Sequence, residues 1–128
     1  MANARSLQLG LCLLMVSAAA FAKEKVEKIP VAVGKWEGPN ASTFKGALKR
    51  GLTKECRVVG AKSARVVVEG MVLEHGKGFV VRVIVKQPKS GEVVEQKEFT
   101  FAGARASAGQ SNKMGHAVAE IARRAPAE

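Results

Sequence analysis

The spacing of hydrophobic residues changes several times along the chain, and each change marks an element. Ile29-Pro30-Val31-Ala32-Val33-Gly34-Lys35-Trp36 is a short apolar run rich in β-branched residues and reads as a first strand. Pro30 suits a strand start, where no ladder hydrogen bond is lost. Glu37-Gly38-Pro39-Asn40 is a turn. From Ala41 to about Glu55 the period becomes helical. Phe44, Leu48 and Leu52 recur every four residues, Ala41 and Cys56 extend the row, and Lys45, Lys49, Arg50 and Lys54 fall on other faces. Asn40 or Ser42 is placed to cap this helix by accepting a backbone N–H bond. Gly46 and Gly51 each weaken it by about 1 kcal/mol relative to Ala, or allow a close approach to a sheet. Arg57-Val58-Val59 reads as a short second strand, broken by Gly60-Ala61-Lys62-Ser63.

Three β-rich runs follow. Ala64 to Glu74 holds Val66, Val67, Val68, Met71, Val72 and Leu73. Phe79 to Lys86 alternates, with Phe79, Val81, Val83 and Val85 on one face and Val80, Arg82, Ile84 and Lys86 on the other. Glu92 to Phe101 ends in Phe99-Thr100-Phe101. Gly76-Lys77-Gly78 and Pro88-Lys89-Ser90-Gly91 supply hairpin turns, so the three runs form an antiparallel meander with one solvated side. Gly103 to Gln110 reads as a loop. Ser111 then caps a second helix that runs to about Arg124, with Met114, Val118, Ile121 and Ala125 as its apolar row. The order is β-α-β-β-β-β-α. The first strand, helix and second strand make a βαβ unit with parallel strands, and the meander extends the sheet. The fold class is therefore α/β (α+β), a two-layer sandwich with both helices on one face of a mixed sheet. Residues 29–125 form one domain, flanked by a charged leader at 23–28 and a tail at 126–128.

The N-terminal region changes where this domain works. Arg5 is the only charge before position 23, and the uncharged stretch from Ser6 to Ala22 has its apolar centre at Leu9 to Val16. Ala20-Phe21-Ala22 puts small residues at the −3 and −1 sites, and Lys23-Glu24-Lys25 follows. This pattern predicts a cleavable signal peptide over 1–22, with export to the periplasm or beyond the cell. Leu11 precedes Cys12, which lies inside the apolar run, so no lipobox is formed. No later segment has the apolar length of a membrane span. Cleavage leaves Cys56 as the one cysteine, so no intramolecular disulfide forms, and its apolar neighbours predict a buried, inert thiol.

Candidate chemistry is sparse. The chain has no Asp, no Tyr and two His. His75 falls in a hairpin turn and His116 on the second helix, which is too few ligands for a zinc site, so no metal or cofactor is expected. Cys56 with His116 is the only nucleophile–base pairing on offer, and the core reading of Cys56 opposes it. Glu69 and Glu74 face the cationic Arg82 and Lys86, which predicts cross-strand charge pairing. The segment Gly34 to Asn40 joins a strand to a helix start, where anions can bind, yet it lacks the glycine and Lys-Ser/Thr pattern of a phosphate cradle.

The formal net charge of +10 is the strongest non-structural feature. The first helix carries Lys45, Lys49, Arg50 and Lys54, and Trp36 is the only tryptophan, suited either to the sheet edge or to a partner surface. These five are the candidate partner-binding residues. Export argues against nucleic acid as the natural partner and favours an envelope protein or an anionic lipid or polysaccharide. The leading expectation is an exported, non-catalytic domain that assists another envelope component through protein contacts. A basic polyanion-binding module is the alternative, and a small hydrolase or metalloprotein built on Cys56 and His116 is the third. The pattern carries no signal for oligomeric state.

Val31-Ala32-Val33-Gly34, the Gly38-Pro39-Asn40 turn, the helix Phe44 to Leu52, Arg57-Val58-Val59 and the paired strands Val66 to Gly70 and Phe79 to Val85 come in one order. This order resembles the α/β domain at the N-terminus of the TolB proteins and in CsgG-like envelope proteins, over most of Ile29 to Arg124. The resemblance implies an envelope accessory or assembly role through protein contacts. The 128 residues hold neither a TolB β-propeller nor the lipobox and membrane-spanning hairpins of CsgG-like pores. The partners and pore activity of those families, and their binding residues, do not carry over.

Overall fold

The computed structural model describes residues 28–126. The predicted signal peptide with Ala20 and Ala22, and all of the leader except Lys28, lie outside the described residues. The elements are β1 (Ile29–Glu37), α1 (Ala41–Leu52), β2 (Cys56–Val58), a 3-10 turn (Ala61–Ser63), β3 (Val66–His75), β4 (Gly78–Lys86), β5 (Val93–Phe101) and α2 (Ala108–Arg124). The sheet runs β2-β1-β3-β4-β5. β1 lies parallel to both β2 and β3, while β3-β4-β5 form the antiparallel meander. The α+β class and the element order are those the sequence pattern predicts.

Both helices bury their apolar rows in one core. Phe44, Leu48 and Leu52 of α1 and Met114, Val118 and Ile121 of α2 join Val66, Val68 and Val72 of β3, Val81, Val83 and Val85 of β4, and Phe101. Burial of these side chains is the main stabilising term for a domain with no disulfide. The opposite face of the sheet is mixed. Val67, Glu69 and Met71 alternate with the buried β3 residues, and Val80, Arg82, Ile84 and Lys86 do so on β4, all of them half-buried. Lys86 pairs with Glu69 at 2.7 Å and Arg82 with Glu98 at 2.9 Å. The predicted cross-strand pairing is thus present for Glu69, and Arg82 takes Glu98 of β5 as its partner.

The differences from the sequence reading that bear on the site lie at the ends of α1, at the start of β2 and at the start of α2. α1 ends at Leu52, because Thr53 starts a turn whose hydroxyl bonds the Arg50 carbonyl at 2.9 Å. Lys28 donates to the Thr53 carbonyl at 2.8 Å and fills another acceptor at this helix end. Cys56 consequently opens β2, opposite Ile29, instead of ending a helix, and β2 begins one residue earlier than Arg57. Neither expected side-chain cap of α1 forms. Asn40 occupies the cap position in the left-handed conformation (φ 58°) and makes no side-chain cap bond. The tight Gly38-Pro39-Asn40 turn, with Gly38 at φ 105°, needs Asn40 for its backbone tolerance instead. Finally, α2 starts at Ala108, three residues before Ser111, because Ser107 and Gln110 form a reciprocal capping box.

Candidate functional site

The helix geometry of α1 divides its predicted cationic stripe. At about 100° per residue, Lys45 and Lys49 flank the buried face on one side and Arg50 on the other, while Lys54 lies beyond the helix end in the turn before β2. Arg50 and Lys54 face the start of α2. Together with Ala106, Ala108, Ser111 and Asn112 they line a cavity of about 300 Å³ at the seam of the two helices. Lys49, Arg50 and Lys54 are exposed and Lys45 is half-buried. Among the described residues none of the four meets a carboxylate, whereas Lys35, Arg82 and Lys86 on the strands each do.

Two glycines create the seam. A Cβ on Gly51 would meet the Ser111 carbonyl oxygen, and one on Gly115 would meet the Gly51 carbonyl. The helix backbones therefore touch where α1 ends and α2 begins. That contact buries Ser111 to 2% exposure, the one buried polar residue among those described. Its hydroxyl has no hydrogen-bond partner among the described residues. The sequence reading made Ser111 a cap and left Asn112 unremarked, so both were missed as site residues. The Ser107-x-x-Gln110 spacing, a capping-box pattern, was the signal that would have placed Ser111 one turn inside α2.

Trp36 lies apart from the cations. The register of β1 against β3 shifts between Val33 and Trp36, so Trp36 stands opposite Gly70 on the helix-covered face. Its half-buried indole rests on Gly70, where a Cβ would overlap the ring, and packs against the core. The indole N–H is buried without a partner among the described residues.

Cys56 and His116 do not form a nucleophile–base pair. Burial pushes the Cys56 thiol up to about 11, and the neighbouring Glu55 charge adds to the shift. Cys56 is 1% exposed, a core residue at the start of β2. His116 points both ring nitrogens at carboxylates: Nδ1 lies 2.8 Å from Glu55 and Nε2 3.2 Å from Glu120. Arg123 donates to the other Glu55 oxygen at 3.1 Å. No group of three metal-ligating side chains occurs among the described residues.

This cluster ties α2 to the turn before β2 and gives the domain a pH dependence. The hydrogen bond to Glu55, followed by its charge, raises the His116 pKa above 6.5. Burial pushes the Glu55 carboxyl up, but bonds from His116 and Arg123 outweigh it and hold the pKa below 4.5. A raised histidine contributes fully below its unfolded value and loses that contribution as pH rises through the folded one. A lowered carboxylate contributes above its unfolded value and loses it as pH falls. The contact is therefore strongest between about 4.5 and 6.5. Melting temperature should decline as pH rises past 6.5, and His116→Gln should remove that part of the slope. Parallel profiles for the two proteins would show that the contact contributes nothing.

No family model matches the chain, and no curated protein matches it significantly. Among the described residues, no helix is long and apolar enough to cross a membrane. Solved structures do resemble the chain. TolB from Acinetobacter baumannii matches with a TM-score of 0.48 and 13% identity, over 77% of this chain and 28% of that one. A PelC dodecamer from Paraburkholderia phytofirmans matches with a TM-score of 0.46 and 16% identity, over 74% of this chain and 88% of that one. A lipoprotein from Neisseria meningitidis matches with a TM-score of 0.44 and 12% identity, over 77% of this chain and 96% of that one. This chain thus spans little more than a quarter of the TolB chain. At these identities and scores, nothing of those proteins' partners or assembly passes to it. TolB, whose N-terminal domain the sequence pattern resembles, is among the structures this chain is similar to.

Proposed function

We propose that the chain is an exported, non-catalytic α/β domain that serves as an accessory protein of the cell envelope by docking an acidic partner protein on the Lys45–Lys49 flank of α1. The observation that carries this reading is the density of unpaired cations at α1: Lys45, Lys49 and Arg50 on the helix and Lys54 just beyond it have no carboxylate partner among the described residues. Unpaired like charges this close in sequence repel one another, and an anionic partner relieves that cost. The predicted export signal supports an envelope compartment, and the lack of Asp with the burial of Cys56 favours a non-catalytic role.

The test is affinity capture from envelope extract, with the mature protein as bait and Lys45→Glu/Lys49→Glu as its charge-reversed counterpart. The captured partner should bind the reversed protein about tenfold more weakly, mainly through slower association, and added salt should weaken the parent complex. A partner retained in full by the reversed protein would show that α1 is only a solvated face.

A further inference from the structure

We infer that the uncovered face of the sheet is a homodimer interface, on which two copies of this chain pack sheet against sheet. Both helices lie on the other face, and no element among the described residues covers this one.

The face carries an apolar line along its two middle-lying strands. In the register of β3 with β4, Val67, Ile84, Met71 and Val80 are successive diagonal neighbours, and Leu73 stands opposite Val80. The first four are half-buried by their neighbours alone, and Leu73 is 42% exposed. A continuous apolar line of this kind differs from singly scattered surface valines and marks a contact surface. Met71, unbranched and adaptable, sits in the middle of it.

Charge selects the occupant. The charges that β1, β3, β4 and β5 place on this face are matched within it. Lys35 pairs with Glu37 at 2.9 Å, Lys86 with Glu69 at 2.7 Å and Arg82 with Glu98 at 2.9 Å. Arg57, on the short β2, stands at the rim. The positive excess of the chain, formally +10, thus lies off this face. Two copies meeting through α1 repel, whereas two copies of this face meet as neutral surfaces. An acidic protein or an anionic membrane finds no excess of cations here, so neither matches the face as a second copy does. An isologous contact lays apolar line against apolar line, with both signs of charge around it on each copy.

The area is sufficient. The four strands have nine or ten residues each. At about 3.3 Å per residue and about 4.8 Å between strands they span roughly 600 Å². Two such faces bury roughly 1,200 Å², the lower end of specific interfaces, which fits a reversible dimer better than an obligate one. Because α1 lies on the opposite side of the sheet, the dimer presents two Lys45–Lys49 flanks outward.

The test is sedimentation velocity of the full mature chain from micromolar to submillimolar concentration. The sedimentation coefficient should rise from the monomer to the dimer value. Added salt should strengthen the association, because it screens the repulsion between two cationic chains. Met71→Lys and Leu73→Lys each set like charges into the contact from both copies and should each weaken it at least about tenfold. Val58→Lys adds the same charge at a 41% exposed position on the helix side of the sheet, opposite Val31. It should leave the affinity within about twofold, because a charge outside the contact is screened. Leu73 lies at the exposed end of the line, so Leu73→Lys keeps the test standing where Met71→Lys fails to fold. Lys45→Glu/Lys49→Glu should dimerise at least as well as the parent, whatever becomes of its capture of an acidic partner. The interface is overturned by a chain that stays monomeric at every concentration, by a dimer that Leu73→Lys leaves intact, or by one that Val58→Lys weakens equally. Loss of the dimer in Lys45→Glu/Lys49→Glu would also overturn it, by moving the contact to α1.

Discussion

Phe44→Ala is expected to cost the domain about 3–5 kcal/mol, the usual range for truncating a buried aromatic. Phe44 is fully buried at the point where α1 meets the sheet. Its ring lies 4.9 Å from that of Phe101 and 5.8 Å from that of Phe79, tilted by 43° and 54°. Tilted pairs at these separations add to the area term. The three rings come from α1, β4 and β5, so the truncation leaves a void shared by both layers. Domains of this size have roughly 5–15 kcal/mol in total, so the change consumes much of the margin. The melting temperature should fall by roughly 15–30 °C, as followed by circular dichroism. Phe44→Leu retains most of the volume and should lose only about 1–2 kcal/mol. A Phe44→Ala protein melting within a few degrees of the parent would mean that the rings do not organise the core.

The second large effect pairs two glycines on the same helix. Gly51→Ala should destabilise the fold and Gly46→Ala should stabilise it. In both cases Ala favours the helix by about 1 kcal/mol over Gly. At Gly46 the new methyl meets only the Arg50 guanidinium, at 3.6 Å, an ordinary contact with the end of a flexible side chain. At Gly51 the methyl runs into the backbone carbonyl of Ser111, which cannot give without parting the helices. Overpacking of this kind costs about 1–3 kcal/mol, and a backbone obstacle puts Gly51 at the upper end, so a net loss of roughly 2 kcal/mol is expected. Urea titrations of the two variants should displace the midpoint in opposite directions. Shifts of the same sign would show that propensity, not the helix seam, governs Gly51. Gly115→Ala should behave like Gly51→Ala, because its methyl meets the Gly51 carbonyl across the same contact.

These two glycines show where the sequence reading stopped. Gly46 and Gly51 look alike in the sequence: each interrupts a helical pattern, and each was expected either to weaken the helix or to let it approach a sheet closely. The structure separates them, and the close approach at Gly51 is to the second helix. The cationic stripe behaves in the same way. Lys45, Lys49, Arg50 and Lys54 are legible as one charged surface, but only the placement of α2 assigns Arg50 and Lys54 to a cavity. Trp36 was open between a sheet edge and a partner surface. A register shift in β1 turns it onto Gly70, and alternation alone cannot show such a shift.

The sequence by itself determined the element order, the apolar faces of both helices, the meander and the mixed outer face of β4. Each of these follows from periodicities of about two or four residues, which any short window contains. It also predicted the export signal from local charge and side-chain size. Only the tertiary structure decided that β1 sits between β2 and β3, that Cys56 begins a strand, and that Ser111 is buried in the wall of a cavity that Arg50 and Lys54 also line. Those outcomes depend on contacts between residues far apart in the chain, such as Gly51 with Ser111 and Glu55 with His116. Local pattern fixes which face of an element is apolar, but not which neighbour covers it. That choice is made by backbone fit, and here two glycines set it.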